Sequence, residues 1–186
     1  LVLKWRARRY NKTAVLRNSI VAEKIAQKVK EGEKINVCFF ESRVQIWFFY
    51  ELYSLFKKDS RFNVNVIITP FTANGKEDIS VNMNQLYDAL AIKGIHAIKS
   101  YNEKTGEYID VKDLYNPDII FFTENWHGLC NIPKFFMERF DTSWNYFCFY
   151  AMQIVKNSSI FNLPPNYFAK ADFMASSLLL PIAKKS

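Results

Sequence analysis

The feature that most constrains this chain is a series of short runs that are apolar on both faces. A strand with one exposed face would alternate apolar and polar residues, so these runs predict parallel strands that helices cover on both sides. Segments with helical spacing of apolar residues separate the runs. The five predicted strands are residues 34–40, 62–71, 95–101, 118–123 and 145–151.

The segments between these runs predict the helices of an α/β fold. Gly32 and Gly94 each follow a stretch of helical periodicity and mark its end. We expect a Rossmann-like, doubly wound parallel sheet of about five strands, in the order 3-2-1-4-5, with helices on both faces and a basic N-terminal helix before it. The predicted helices are residues 13–32, 44–59, 79–94, 109–117 (short), 132–140 (with Pro133 in its first turn) and the segment after Pro165.

Positive charge is concentrated at the start of the chain. Of the net charge of +7, six units come from residues 1–17, which hold no acidic residue. Such an arm suits an anionic surface, with lipid headgroups or a polyanionic polymer favoured over nucleic acid, although a solvated helix face would look the same. We therefore divide the chain into residues 1–33, a basic arm and helix, and residues 34–186, the Rossmann-like domain.

The expected topology predicts where a ligand binds. In open α/β sheets the site lies outside the carboxyl ends of the strands, where the strand order reverses. With the order 3-2-1-4-5, that position lies between the first and fourth strands. The loops 41–43 and 123–128 should face each other there, although about eighty residues separate them.

The residue types in these two loops fit a binding site. In the first loop, Glu41 is a potential ligand contact and Arg43 offers a planar fork for phosphate or carboxylate. Ser42 is a candidate N-cap that would leave helix N–H groups pointing at an anion. The alternatives are a plain N-cap for Ser42 and a surface ion pair for Arg43.

The second loop adds a candidate base. His127 is a potential general base and our candidate catalytic residue, with Glu124 orienting it and Asn125 beside them. Trp126 offers a flat face to a sugar or base. The alternatives are a turn residue without chemical role for His127 and core packing for Trp126. The second histidine, His96, is predicted to be structural.

Several classes of site are missing from the sequence. With five glycines, no GxGxxG, no P-loop and no GxSxG elbow, the sequence does not predict a dinucleotide, P-loop or α/β-hydrolase enzyme. The three cysteines form no CxxC pair and indicate free thiols in a reducing cytosol. We therefore predict no cofactor and no metal.

Three stretches resemble a known family. They are "INVCFFESRVQIWFFYELYSLFKKDSRFNVNVIITPF", "LYNPDIIFFTENWHG" and "NYFCFYAMQI". Together, over about residues 34–175, they are similar to bacterial CDP-glycerol glycerophosphotransferase-like and related GT-B glycosyltransferases. The match at Trp126, His127 and Gly128 is to a WHGTPLK-like motif, and the residues after Gly128 depart from it.

The resemblance implies a function at the cell envelope. It implies that this chain is the acceptor-side half of a two-domain enzyme, inactive without a C-terminal domain that binds the nucleotide-activated donor. The acceptor would be a sugar- or glycerol-phosphate, the product a teichoic-acid-like or capsular polymer, and the location the cytoplasm at the inner membrane face. Alternatives are a non-catalytic flavodoxin-like module that binds a sugar, nucleotide or partner, and a docking domain.

Overall fold

The structure is a computed structural model that describes residues 2–44, 47, 49–73, 79–124, 127–149 and 169–174. Residues 2–15, 148–149 and 169–174 are described as backbone only. Its helices are α1 (Val2–Glu31), α2 (Tyr50–Lys58), α3 (Ile79–Ile92) and α4 (Val111–Tyr115), with 3-10 helices at Pro133–Phe135 and Met137–Phe140. Its strands are β1 (Ile35–Glu41), β2 (Phe62–Ile68), β3 (Ala97–Lys99), β4 (Tyr101–Asn102), β5 (Glu107–Tyr108), β6 (Ile119–Phe122), β7 (Trp144–Phe149) and β8 (Ala169–Met174).

The main sheet confirms the predicted α/β fold. Its strands are parallel and lie in the order β3-β2-β1-β6-β7-β8. The first five of these, in chain order, give the predicted arrangement 3-2-1-4-5. The sixth strand, β8, is a correction, because we expected helix in this region. Ala, Lys and Met favour helices intrinsically, and pairing with the edge of β7 overrides that preference.

Alternating side chains of the strands fill two separate cores. Val37 and Phe39 point to the face covered by α2 and α3, whereas Cys38 and Phe40 point to the face covered by α4 and the 3-10 helices. The direction of the crossovers explains why the helices divide between the two faces. The connections from β1 through β2 to β3 move along the sheet in one direction, and those from β6 onwards move in the other. Because crossovers between parallel strands are right-handed, the two directions place their helices on opposite faces.

Aromatic rings dominate the first core. Phe39 lies at its centre and stacks on Phe121 at a centroid distance of 4.9 Å. Phe49 and Tyr53 contact Phe39 from α2 and the segment before it. This packing accounts for the late start of α2, which we predicted from residue 44 and which begins at Tyr50. Trp47 and Phe49, just before the helix, pack on Phe39 from non-helical backbone.

Two other predicted elements differ in detail. Residues 132–140 form two short 3-10 helices rather than one α-helix, because Phe136 between them is extended. The turn after β3 is a hairpin in which β4 pairs with β5. The predicted helix stops at Gly32 and Gly94 are confirmed, with φ of 73° and 72°, values that glycine adopts without strain.

Helix α1 is fastened to the amino ends of the strands through one buried carboxylate. Asp118 is fully buried just before β6, and Lys24 and Lys28 of α1 approach its oxygens at 2.9 and 2.7 Å. The Asn36 N–H of β1 donates to the same carboxylate at 2.9 Å. Burial alone would raise the pKa of Asp118, but the hydrogen bonds from Lys28, Asn36 and Lys24 hold it below the ordinary value.

Among the helices that the structure describes, none has both the length and the apolar character needed to cross a bilayer.

Replacing Asp118 should destabilise the fold. Asp118→Asn leaves Lys24 and Lys28 without their shared anion, and we expect the free energy of unfolding to fall by about 3–5 kcal/mol in urea titrations. The control is Asp88→Asn, which changes an exposed carboxylate of α3. Because the folded pKa of Asp118 is depressed, the difference between wild type and Asp118→Asn should shrink as pH falls through that pKa. A constant difference across acid pH would contradict this.

Candidate functional site

The candidate site is the crevice at the carboxyl ends of β1 and β6. These strands pair in parallel, from Val37 opposite Ile119 to Phe40 opposite Phe122. The strand order reverses here, because β2 and β3 lie on one side of β1 and β6 and β7 lie on the other. The loops that follow must therefore meet. They do so through side-chain contacts between residues 41–43 and residues 123–124, which confirms the meeting predicted from topology alone.

Glu41, the last residue of β1, lies at the centre of these contacts and is fully buried. Its Oε1 accepts hydrogen bonds from the backbone N–H groups of Ser42 and Arg43, at 2.9 and 3.2 Å. The hydroxyl of Thr123, across the crevice, lies 3.1 Å from the same oxygen. Its Oε2 is also buried, and it has no hydrogen-bond partner among the described residues.

This environment favours the neutral form of Glu41. Burial raises the pKa of the carboxyl to about 8 from an ordinary value of 4.5. The hydrogen bonds from Arg43, Ser42 and Thr123 act in the opposite direction and do not compensate, and the charge of Glu124 raises the pKa further. At neutral pH, Glu41 is therefore mostly a carboxylic acid.

Glu124 is the second carboxyl of the crevice and has the opposite character. Its oxygens bind the Arg43 guanidinium and the Ser42 hydroxyl. Glu124 is thus salt-bridged to an arginine, whereas Glu41 has no cationic partner and burial favours its neutral form. The guanidinium also lies over the ring of Phe71, with its carbon 5.0 Å from the ring centre. A charged pair, a neutral acid and several hydroxyls therefore lie side by side.

The prediction that Ser42 caps a helix is wrong. Helix α2 begins only at Tyr50, and Phe49 occupies its N-cap position. The N–H groups of Ser42 and Arg43 donate to the carboxyl of Glu41, so an internal side chain accepts them.

His127 is placed on the same loop as Glu124 but has a different partner. Its Nε2 lies 3.1 and 3.3 Å from the two carboxylate oxygens of Glu138, and its ring stacks on Phe136. A carboxylate beside Nε2 favours the tautomer with the proton on that nitrogen, which leaves the lone pair on Nδ1. The side chain is 45% exposed, so a ligand can reach it.

The structure changes the role expected of Glu124. Glu138, not Glu124, orients His127, since Glu124 is bound to Ser42 and Arg43. Asn125 and Trp126, the other predicted ligand contacts, lie outside the described residues. His96 is exposed just before β3, rather than inside the strand as predicted.

Three residues of the site were not singled out from the sequence. Thr69 and Thr123 directly follow β2 and β6, at the same edge as Glu41, and strand ends alone could have indicated them. Thr69 fixes the end of β1 by donating from its N–H to the Glu41 carbonyl at 2.8 Å. Glu138 has no such signal, because it reaches His127 through a 3-10 helix eleven residues later.

No group of three or more His, Cys, Asp or Glu side chains in the described part of the chain is arranged to hold a metal ion. Cys38 and Cys130 are free thiols, and burial raises the pKa of both, to about 12 and about 11.

Comparisons with known proteins add no relative. No family model, curated protein or solved structure matches the chain. The similarity to glycerophosphotransferases therefore stays a prediction from the quoted motifs.

The buried proton of Glu41 predicts an unusual pH dependence of stability. Between pH 4.5 and about 8 the folded chain keeps a proton that the unfolded chain releases, so rising pH favours unfolding. Glu41→Gln keeps the shape without the ionisation. In urea titrations, we expect the free energy of unfolding of the variant to equal that of wild type near pH 5. Near pH 8 it should be higher than that of wild type by on the order of several kcal/mol. Parallel pH profiles for the two proteins would show that Glu41 ionises normally.

Proposed function

We propose that this chain is the acceptor-side domain of a transferase. The enzyme would move a group from a nucleotide-activated donor to a hydroxyl of a sugar- or glycerol-phosphate acceptor, in the synthesis of a cell-envelope polymer. The observation that carries the proposal is a polar group of Arg43, Glu124 and Ser42 at the carboxyl ends of β1 and β6, together with a histidine–carboxylate pair, His127 with Glu138, whose histidine is on the same loop as Glu124. The motif resemblance supports the choice of reaction.

The electrostatics of the crevice favour the hydroxyl-bearing part of an acceptor. Glu124 offsets the charge of Arg43, and Glu41 is neutral, so these groups together carry no net positive charge for a phosphate. Carboxylates accept hydrogen bonds from hydroxyls, and guanidinium groups donate to hydroxyl oxygens. The predicted role of Arg43 as a phosphate clamp is accordingly replaced, in this proposal, by recognition of a sugar or glycerol unit.

His127 would act as the general base. With Glu138 holding Nε2–H, the Nδ1 lone pair takes the proton of the acceptor hydroxyl. The oxygen then forms the new bond to the transferred group, and the bond from that group to the nucleotide breaks, with its electron pair leaving on the nucleotide phosphate oxygen. Groups that hold the donor would come from a second domain, as in the resembled family.

A binding module without catalysis is the second candidate. It is favoured by the pairing of Arg43 with Glu124, which is complete without a ligand, and by the exposed position of His127 beside Glu138 rather than beside Arg43. Such a module would hold a sugar or nucleotide in the crevice and transfer nothing. Binding is common to both candidates, and only turnover separates them.

The basic segment 1–17 would bring the domain to the anionic inner face of the cell membrane. Its six cations support this placement. Leu16 and Ile20, one turn apart on α1, are also exposed, at 63% and 56%, and could enter the interfacial region.

Polyol binding should depend on Glu124. We expect glycerol 3-phosphate to bind the chain in calorimetric titrations at pH 7, and Glu124→Gln to weaken binding at least tenfold, because a charged acceptor for a hydroxyl is lost. The control is Glu107→Gln on the exposed β4–β5 hairpin. Amide NMR spectra of each variant verify that the fold is intact. Equal affinity of the folded Glu124→Gln variant would place the ligand elsewhere.

Transfer should depend on His127. In the natural full-length polypeptide, supplied with a nucleotide-activated glycerol or sugar donor, His127→Ala should lower kcat by about 10²–10⁴-fold. Glu138→Gln should lower it less, because it disturbs only the orientation of the ring. Turnover that stays near normal in His127→Ala would remove this histidine from the mechanism. Binding without turnover under all donors would favour the binding module.

A further inference from the structure

Glu41 has a hydrogen-bonding requirement that the described protein groups do not meet. Its Oε1 is occupied by two backbone N–H groups and faces the hydroxyl of Thr123, whereas its Oε2 is buried without a partner in the described part of the chain. The side chain is fully buried. A buried polar atom of this kind is rare in folded proteins and calls for an explanation.

The position of the proton on Glu41 follows from these contacts. An oxygen that accepts two N–H groups acts as the carbonyl oxygen of a carboxylic acid, because a hydroxyl oxygen is the weaker acceptor. The proton therefore belongs on Oε2. Thr123 is compatible with this assignment, because its single hydroxyl proton can serve either Glu41 Oε1 or the Phe40 carbonyl, both at 3.1 Å. Oε2 is then a donor that lacks an acceptor.

The groups around Glu41 keep it neutral. Arg43 lies on its own loop, but the guanidinium is bound to Glu124 on the facing loop. Glu124 itself opposes a second negative charge. The loop after β2 contributes Thr69, whose hydroxyl and N–H bind the Glu41 carbonyl. The charged side chains of residues 74–78 lie outside the described part of the chain.

We propose that Glu41 is a protonated hydrogen-bond donor to the ligand, and that the crevice binds a sugar or polyol oxygen only while Glu41 holds its proton. The inference rests on the proposed function for the class of ligand. In it, Glu41 donates to an oxygen of the sugar or glycerol unit, and Glu124 accepts from a hydroxyl of the same unit. A carboxylic acid that donates and a salt-bridged carboxylate that accepts thus recognise both polarities of a hydroxylated ligand.

Binding of glycerol 3-phosphate at pH 7 and pH 9 tests the inference. The phosphate of this probe is doubly ionised throughout, since its second pKa is about 6. With a pKa of about 8, Glu41 is about 90% protonated at pH 7 and about 10% at pH 9, so wild-type affinity should fall about tenfold. Inorganic phosphate is the control probe without a polyol.

Two substitutions separate the donor from the shape. Glu41→Gln keeps a donor at the same position and cannot ionise, so it should bind equally well at both pH values. Glu41→Met is similar in size and lacks the donor, so it should bind at least tenfold more weakly than wild type at pH 7. A Glu41→Gln variant with the wild-type loss of affinity at pH 9 would overturn the inference and leave the proposed function standing.

A measurement without ligand distinguishes the two proposals. The carboxyl ¹³C signal of Glu41, assigned by its loss in Glu41→Gln, should titrate near pH 8 in the free protein. Titration near 4.5 overturns the inference whatever the probe does. If glycerol 3-phosphate and other polyol phosphates fail to bind wild type at pH 7, the proposed function and the ligand role of Glu41 both fall.

Discussion

The pairing of β1 with β6 is the constraint on which the rest of this structure depends. It joins two strands about eighty residues apart and divides the crossovers between the two faces of the sheet. A buried carboxyl lies at each end of this pair. Asp118 links the strands at the amino end through Asn36, and Glu41 links them at the carboxyl end through Thr123. The middle is held by apolar contacts such as the stacking of Phe39 on Phe121.

The two carboxyls differ in their partners and in how deeply they lie, and both differences bear on their ionisation. Both are fully buried, yet Asp118 is charged and Glu41 is neutral near pH 7. Asp118 has two lysine ammonium groups, whose full charges offset the loss of hydration. Glu41 has backbone amides and a hydroxyl, whose partial charges do not. The first arrangement suits a structural fastening, and the second suits a group that can exchange a proton or meet a ligand.

The sequence was sufficient for the topology and for part of the site. Strands that are apolar on both faces indicated a covered parallel sheet, and the sheet order placed Glu41 opposite Glu124 without reference to their chemistry. The details depended on contacts that no local pattern encodes. Trp47 and Phe49 were predicted to be helical but pack on Phe39 from non-helical backbone, and α2 starts too late for Ser42 to cap it. The partner of His127 depended on a 3-10 turn rather than on helical spacing.

Helix α1 contacts the sheet at the end opposite the crevice, so Lys24 and Lys28 lie far from the crevice. Lys24 and Lys28 form ion pairs with Asp118, and the indole N–H of Trp144 donates a hydrogen bond to the Asn18 carbonyl. All of these contacts lie at the amino ends of the strands. The crevice lies at the opposite ends, a distance of roughly 23 Å for a seven-residue strand. The Coulomb energy between two charges falls with the distance between them, and Asp118 offsets one of the two lysine charges. The effect of these lysines on Glu41 and Glu124 is therefore small. Ligand selection in the crevice therefore depends on short-range hydrogen bonds. Mutations that alter the charge of this part of α1 should leave ligand selection unaffected.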